Sequence, residues 1–339
     1  MENKKNRLAR QVGFCLAILL AACGTAMTEP TPAPIPGDLS ADAITTLESL
    51  ERVDGYPLYV MHYTGSYQDF LNAPVQPTGF ACSLFAALGN PGHLLFGRNF
   101  DWDYSPALLL FTDPPDGYAS VSVVDLAFLG FSSATALGLE TQSLAERQAL
   151  LGAPSMPFDG MNEYGLAIGM AAVPESIAGN DPGKPTIGSI GIIREILDHA
   201  RDVDEAIALF EQYNINFTGG PPIHYLLADA SGKAALVEFT QGEMVILPNE
   251  NPWHLATNHL CATASGDGGC ARYQTLRLRL EETAGNLTPA DAMDLLANVS
   301  QPGSTQWSIV YNISTGNINV VMGRDYKNIH NFQITISKP

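Results

Sequence analysis

The chain has 339 residues, with 17 Lys and Arg against 35 Asp and Glu, a formal net charge of −18. A hydrophobic share of 46% with only 15% charged residues excludes an acidic disordered tail and supplies apolar material for a large core. Setting aside Lys4, Lys5, Arg7, Arg10 and Glu2 leaves 13 basic against 34 acidic residues, a net of −21. A body that acidic repels phosphate backbones, so no nucleic-acid partner is expected.

The basic start runs into the apolar stretch Val12–Ala22, too short to cross about 30 Å of hydrocarbon, which takes roughly 20 residues. A positive flank before a short apolar core reads as an export signal over residues 1–22. The stretch ends Leu20-Ala21-Ala22-Cys23, which resembles a bacterial lipobox and implies cleavage before Cys23 with a lipid on its sulfur. The Pro-rich segment Thr28–Gly37 follows as an extended spacer, so residues 23–40 are expected to tether a body to a membrane of the bacterial cell envelope. Cys15 leaves with the signal. Cys261 and Cys270 bracket a Gly- and Ser-rich loop, where an oxidising compartment favours a disulfide. Cys82 is the odd thiol.

In residues 41–81 the pattern predicts a helix over Ala41–Arg52 and a strand over Pro57–Tyr63, whose Leu58, Val60 and Tyr63 call for burial. Further strands are expected at His93–Asn99, Val121–Phe128, Gly165–Ala172, His224–Asp229, Ala234–Phe239, Met244–Leu247, Trp307–Ile313, Ile318–Met322 and Phe332–Ile336. Helical periodicity marks Ile187–Ala200, Val203–Tyr213 and Tyr273–Glu282, and also Pro289–Val299 after the cap residue Thr288. Strands in adjacent pairs with bunched helices point to an α+β arrangement of antiparallel sheets. Without a Gly-rich phosphate loop or zinc-type ligand spacing, neither a cofactor nor a metal is expected.

A hairpin through the Gly89-Asn90-Pro91-Gly92 turn returns Arg98 and Asp101 to the side of Cys82. A guanidinium there lowers the pKa of a thiol and raises its reactive thiolate fraction. Asn162, in Asp159-Gly-Met-Asn-Glu-Tyr-Gly-Leu166, and Asn258, in Ala256-Thr-Asn-His259, are amides of the kind that donate to a developing oxyanion.

This series resembles the choloylglycine hydrolase and acid ceramidase-like linear amide hydrolases of the N-terminal nucleophile superfamily. The carrying motifs are Cys82 followed by Gly97-Arg-Asn-Phe-Asp101, then residues 159–166, Thr257-Asn258 and Ala271-Arg272-Tyr273. The resemblance implies a four-layer αββα sandwich and a catalytic domain over residues 82–339. It implies scission of the Ala81–Cys82 bond, which makes Cys82 the nucleophile and its α-amine the base. Arg98 would then support the thiolate, Asp101 the α-amino group, Asn162 and Asn258 the oxyanion, and Arg272 would complete the polar cluster. The substrate class implied is a small-molecule N-acyl amide cleaved through a thioester. The apolar content of residues 41–81 matches the ceramidase-type branch, in which a small chain stays noncovalently bound to the large one.

Three other readings use the same residues. An acyltransferase of the same fold differs only in the acceptor that reaches the thioester. A non-catalytic tethered binding lipoprotein requires no processing at Cys82, and a papain-like peptidase would draft His254 and Asn258. Trp102, Tyr104, Leu108–Phe111 and Phe128–Phe131 are either an acyl pocket or core; His224 and His259 carry no assigned role.

Overall fold

Successive side chains point to opposite faces of a strand, so strands apolar on both faces must be covered on both, and this chain does so with two sheets and flanking helices. The computed structural model describes residues 39–68, 81–131, 135–263 and 269–337. The export signal, Cys23 and the Pro-rich segment lie outside the described residues, as do residues 69–80 immediately before the proposed cleavage site.

Ordered along the chain are α1 (Ala41–Glu48), β1 (Glu51–Asp54), β2 (Leu58–Tyr63), β3 (Ala81–Ala87), β4 (Leu95–Asp101), β5 (Ala107–Thr112) and β6 (Ser120–Asp125). There follow β7 (Asp159–Asn162), β8 (Ala167–Ala172), β9 (Thr186–Gly188), α2 (Gly191–His199), α3 (Val203–Phe210) and β10 (Asn214–Asn216). The remainder is β11 (Ile223–Ala228), β12 (Ala234–Thr240), β13 (Glu243–Pro248), β14 (Trp253–Ala256), α4 (Ala271–Thr283), α5 (Pro289–Asn298), β15 (Thr305–Asn312), β16 (Asn317–Met322) and β17 (His330–Gln333).

The larger sheet has the order β1-β2-β5-β6-β7-β8-β11-β12-β13 and the smaller one β14-β3-β4-β15-β16-β17. Leu84, Phe96 and Ile309 of the smaller sheet share one buried cluster with Leu109, Val121 and Ala171 of the larger. The alternate residues Phe85, Leu95 and Val310 pack with Leu276, Leu280 and Leu296 of α4 and α5 on the outer face. On the larger sheet, Leu47 of α1 packs with Tyr59 and Leu108, while α2 lies against β7 and β8. The four-layer αββα sandwich expected from the sequence is the fold observed.

Several local details differ from the expectation. The first helix stops at Glu48, because Glu51–Asp54 pairs antiparallel with β2 instead of continuing as helix. β5 is a strand that the sequence reading did not separate from a candidate pocket. It pairs parallel with β2, from Leu58↔Ala107 to Tyr63↔Thr112, so the larger sheet is not wholly antiparallel. The intervening β3–β4 hairpin belongs to the other sheet, which lets the chain re-enter in the same direction. The strand expected to reach Phe128 ends at Asp125, whose side chain accepts from the Ala127 N–H and caps a short 3-10 turn. At α5, Thr288 and Asp291 form a reciprocal capping box.

Candidate active site

β3 and β4 pair with Cys82 opposite Phe100 and Leu84 opposite Arg98. Two residues along a strand return to the same face, so the register sets Arg98 beside Cys82, as the hairpin predicts. The Arg98 Nη2 group donates to Cys82 Sγ at 3.5 Å, and both side chains are fully buried. The other arm of the guanidinium, Nη1, donates to Asp159 Oδ2 and to the Phe158 carbonyl, each at 2.5 Å. Tyr311 donates its hydroxyl to Asp159 Oδ1. A buried row Cys82–Arg98–Asp159–Tyr311 therefore joins strands of both sheets, and Asp159 balances the charge of Arg98 where an unpaired cation would be very costly.

Asp159 is a site residue that the sequence reading passed over. Its signal is the acidic residue that opens the motif 159–166. Asn162 instead uses its amide within the fold: Nδ2 donates to the Leu197 and Ala200 carbonyls at the end of α2, at 3.1 and 2.7 Å. Its Oδ1 accepts from the Tyr164 and Leu166 N–H groups in the turn before β8. The oxyanion role expected of Asn162 is not what this geometry provides. Orphan carbonyls at a helix end draw on a buried amide that stands within reach.

Burial pushes the Cys82 thiol up, and the nearby Arg98 guanidinium pulls it down without overcoming that effect. Arg98 thus acts on the thiol in the expected direction, and burial outweighs it.

Asn258 stands at the other side of the same residue. Its Oδ1 accepts from the Cys82 nitrogen at 2.9 Å and from Arg272 Nη2 at 2.9 Å, while its Nδ2 donates to the Ala172 carbonyl at 2.9 Å. The contact to the Cys82 nitrogen expected of Asp101 is thus made by Asn258. Asp101 is buried, with its carboxylate accepting from Thr305 Oγ1 and Gln301 Nε2 and lying 3.7 Å from Arg272 Nη1. Burial raises the Asp101 carboxyl against the opposing pull of these partners. Arg272, in the first turn of α4, also donates to the Cys82 carbonyl and to Ser83 Oγ. Of the five residues expected around Cys82, four therefore converge on it or on its immediate partners, and Asn162 does not.

Cys261 and Cys270 are free thiols, so the disulfide expected between them is not formed. Each sulfur is turned to another partner: Cys261 Sγ lies 4.0 Å from His259 Nε2, and Cys270 Sγ accepts from Thr257 Oγ1 at 3.6 Å. His254 Nε2 bonds to the Leu247 carbonyl at 2.9 Å and Nδ1 accepts from the Leu255 N–H, a structural placement that takes it out of any peptidase arrangement. Leu108, Leu109 and Leu110 are wholly buried and belong to the core, not to an acyl pocket. Among the described residues no cluster of His, Cys, Asp and Glu has the makings of a metal site.

Residues 88–301, well over half of the chain, match the family model described as acyl-coenzyme A:6-aminopenicillanic acid acyl-transferase. The chain belongs to this family. For this acyl-transferase family member, the matched region starts six residues after Cys82 and takes in Arg98, Asp101, Asp159, Asn258 and Arg272. Among solved structures it is similar to a mutant conjugated bile acid hydrolase from Clostridium perfringens, at 16% identity and a TM-score of 0.54, over 76% of this chain and 93% of that one. It is also similar to penicillin V acylase from Agrobacterium tumefaciens, at 18% identity and a TM-score of 0.51, over 75% of this chain and 86% of that one. These likenesses place the family member in the N-terminal nucleophile hydrolase fold. A protein of Paramecium bursaria Chlorella virus 1, "Uncharacterized protein A284L", is 31% identical over 109 residues. That match covers 30% of this chain and 38% of the viral protein.

Proposed function

We propose that this chain is a cysteine N-terminal nucleophile amidohydrolase that cleaves a linear N-acyl amide through a thioester on Cys82. The observation that carries the reading is the separate holding of the two reactive atoms of one residue. The Cys82 nitrogen lies 2.9 Å from Asn258 Oδ1, and its sulfur lies 3.5 Å from Arg98 Nη2. Family and fold support amide-bond chemistry of this kind.

Scission of the Ala81–Cys82 peptide bond frees an α-amine, whose ordinary pKa of about 8 suits a general base near neutral pH. Asn258 orients that amine. The amine takes the thiol proton as sulfur attacks the substrate carbonyl, and it returns the proton to the departing amine as the thioester forms. Water then adds to the thioester, the C–S bond breaks, and the acid and the thiol are released. Arg98 supports the developing negative charge on the sulfur and carbonyl side. The raised thiol pKa fits this scheme, since the amine and the sulfur need share the proton only during reaction.

Two further elements belong to the proposal. Residues 23–81 stay bound after scission, because β2 is hydrogen-bonded between β1 and β5 in the larger sheet, and removing it would expose Leu58, Tyr59 and Met61, all wholly buried. The lipobox-like Leu20–Cys23 and the Pro-rich segment support an exported lipoprotein tethered through Cys23.

The second reading is acyl transfer to an amine, favoured by the description of the matched family. One experiment orders these readings. The full-length chain, purified from a bacterial host in detergent, is examined by intact mass and N-terminal sequencing beside Cys82→Ala. A new chain beginning at Cys82, co-eluting with the smaller one and absent from the variant, is the expected result. An N-acyl amide panel with and without an added amine then separates hydrolysis from transfer. A chain that stays uncut and inactive in every condition overturns the enzymatic reading in favour of a binding lipoprotein.

A further inference from the structure

His224 and Glu238 face each other on β11 and β12 and are completely buried, with Nδ1 of the imidazole 2.9 Å from Oε1 of the carboxylate. Two ionisable groups taken wholly out of water destabilise a fold unless their remaining polar atoms are also satisfied. Here each is satisfied by one irregular segment. The His224 Nε2 group lies 2.7 Å from the Thr257 carbonyl. Because that oxygen only accepts, Nε2 carries a proton. Both Glu238 oxygens accept backbone N–H groups: Oε1 from Cys261 and Oε2 from Ala262, at 2.8 Å each. The pair therefore grips residues 257–262 near both ends, and Asn258 lies between the grips.

The same strand neighbourhood supplies a third fixing point. Asn258 Nδ2 donates to the Ala172 carbonyl, and Ala172 pairs with Ile223, the residue before His224. Outside the regular sheet, the backbone of 257–262 lacks the ladder that would otherwise fix it. Burial raises the Glu238 carboxyl, but the bonds from His224, Ala262 and Cys261 outweigh it and hold the group below its ordinary value. Glu238 accordingly serves as an acceptor.

We infer that the buried His224–Glu238 pair is the positioning device of the reaction centre: it fixes Asn258 against the Cys82 nitrogen and thereby sets the rates of self-cleavage and turnover. This inference rests on the enzymatic reading above. Neither residue touches the reacting atoms. Both act through Asn258, whose carboxamide oxygen must stay within hydrogen-bond reach of one nitrogen, and a displacement of about 1 Å costs up to roughly 100-fold in rate.

The test uses His224→Gln, with Glu238→Gln as a second variant that keeps the side-chain shape, each alone and combined with Asn258→Ala in the full chain. Readouts are the rate of appearance of the chain starting at Cys82, kcat and KM on an N-acyl amide cleaved by the wild type, and folded state by circular dichroism. The expected result for a folded variant is a kcat at least about 10-fold lower, KM within about threefold, and slowed self-cleavage. In the Asn258→Ala background the same substitution should cost less than about twofold, because its route of action is already gone. A general loss of structure would instead multiply with the Asn258 effect. Unchanged kcat and self-cleavage in whichever variant folds, or fully multiplicative losses, overturn the inference. Failure of the wild type itself to cut at Ala81–Cys82 would sink the enzymatic reading first and is seen separately.

Discussion

The nitrogen of Cys82 donates to Asn258 Oδ1 at 2.9 Å, a contact between residues 176 positions apart in sequence. It ties the second residue of β3 to the segment after β14, the strand paired next to β3 in the smaller sheet. In the intact chain the Cys82 nitrogen thus meets an amide oxygen, while the carboxylate of Asp101 accepts from Thr305 and Gln301.

Asn258→Ala removes that acceptor and leaves Arg272 Nη2 without its partner. Self-cleavage and kcat are expected to fall by about 100-fold, with smaller change in KM. Time-resolved intact mass measures the first and steady-state kinetics the second. Normal processing in this variant would show that the Cys82 nitrogen does not depend on Asn258.

Asp159→Asn leaves the buried Arg98 guanidinium without its counter-charge. A broken buried pair costs about 3–5 kcal/mol, read as a lowered urea midpoint. Tyr311→Phe, which removes only one donor to Asp159, should cost about 1–3 kcal/mol. An Asp159→Asn protein as stable as the wild type would refute the charge-balancing role.

Asn162→Ala discriminates between a fold role and an oxyanion role. It removes two bonds to the end of α2 and two in the following turn, so stability should drop by about 2–4 kcal/mol. kcat per folded molecule should change by less than about threefold. A 100-fold fall in kcat at unchanged stability would restore the oxyanion assignment.

Asp125 makes stability depend on pH. Its carboxyl is buried and pushed up to about 7, against about 3.9 in an unfolded chain. Between these values the fold binds a proton that the unfolded chain has released. The stabilisation is full below about pH 4 and is lost as pH rises through about 7. At about 1.4 kcal/mol per unit the loss approaches 4 kcal/mol as an upper bound. Asp125→Asn should therefore be more stable than the wild type at pH 8 and show a flatter profile from pH 5 to 8 in urea titrations. Parallel profiles for the two proteins would exclude this site as the source.

What the sequence determined by itself is local. The turn at residues 89–92 and the two-residue strand period put Arg98 on the face of Cys82, and Thr288 marks the start of α5. The apolar period of Pro57–Tyr63 likewise announced a buried strand. Such features depend on neighbours within a few residues, where spacing alone sets the geometry. The tertiary structure decided the rest. Asp159 reaches Arg98 across 61 positions and Tyr311 reaches Asp159 across 152, so neither contact has a local signature. Asn162 lay in a legible motif, but the carbonyls it serves belong to α2, and only packing of that helix on the sheet brings them near. The stretch Leu108–Leu110 has the composition of an acyl pocket and of a core alike. Burial between two layers made it core. The His224–Glu238 grip on residues 257–262 follows from the same cause: a polar side chain takes its role from the unsatisfied backbone groups that the packed sheets bring to it.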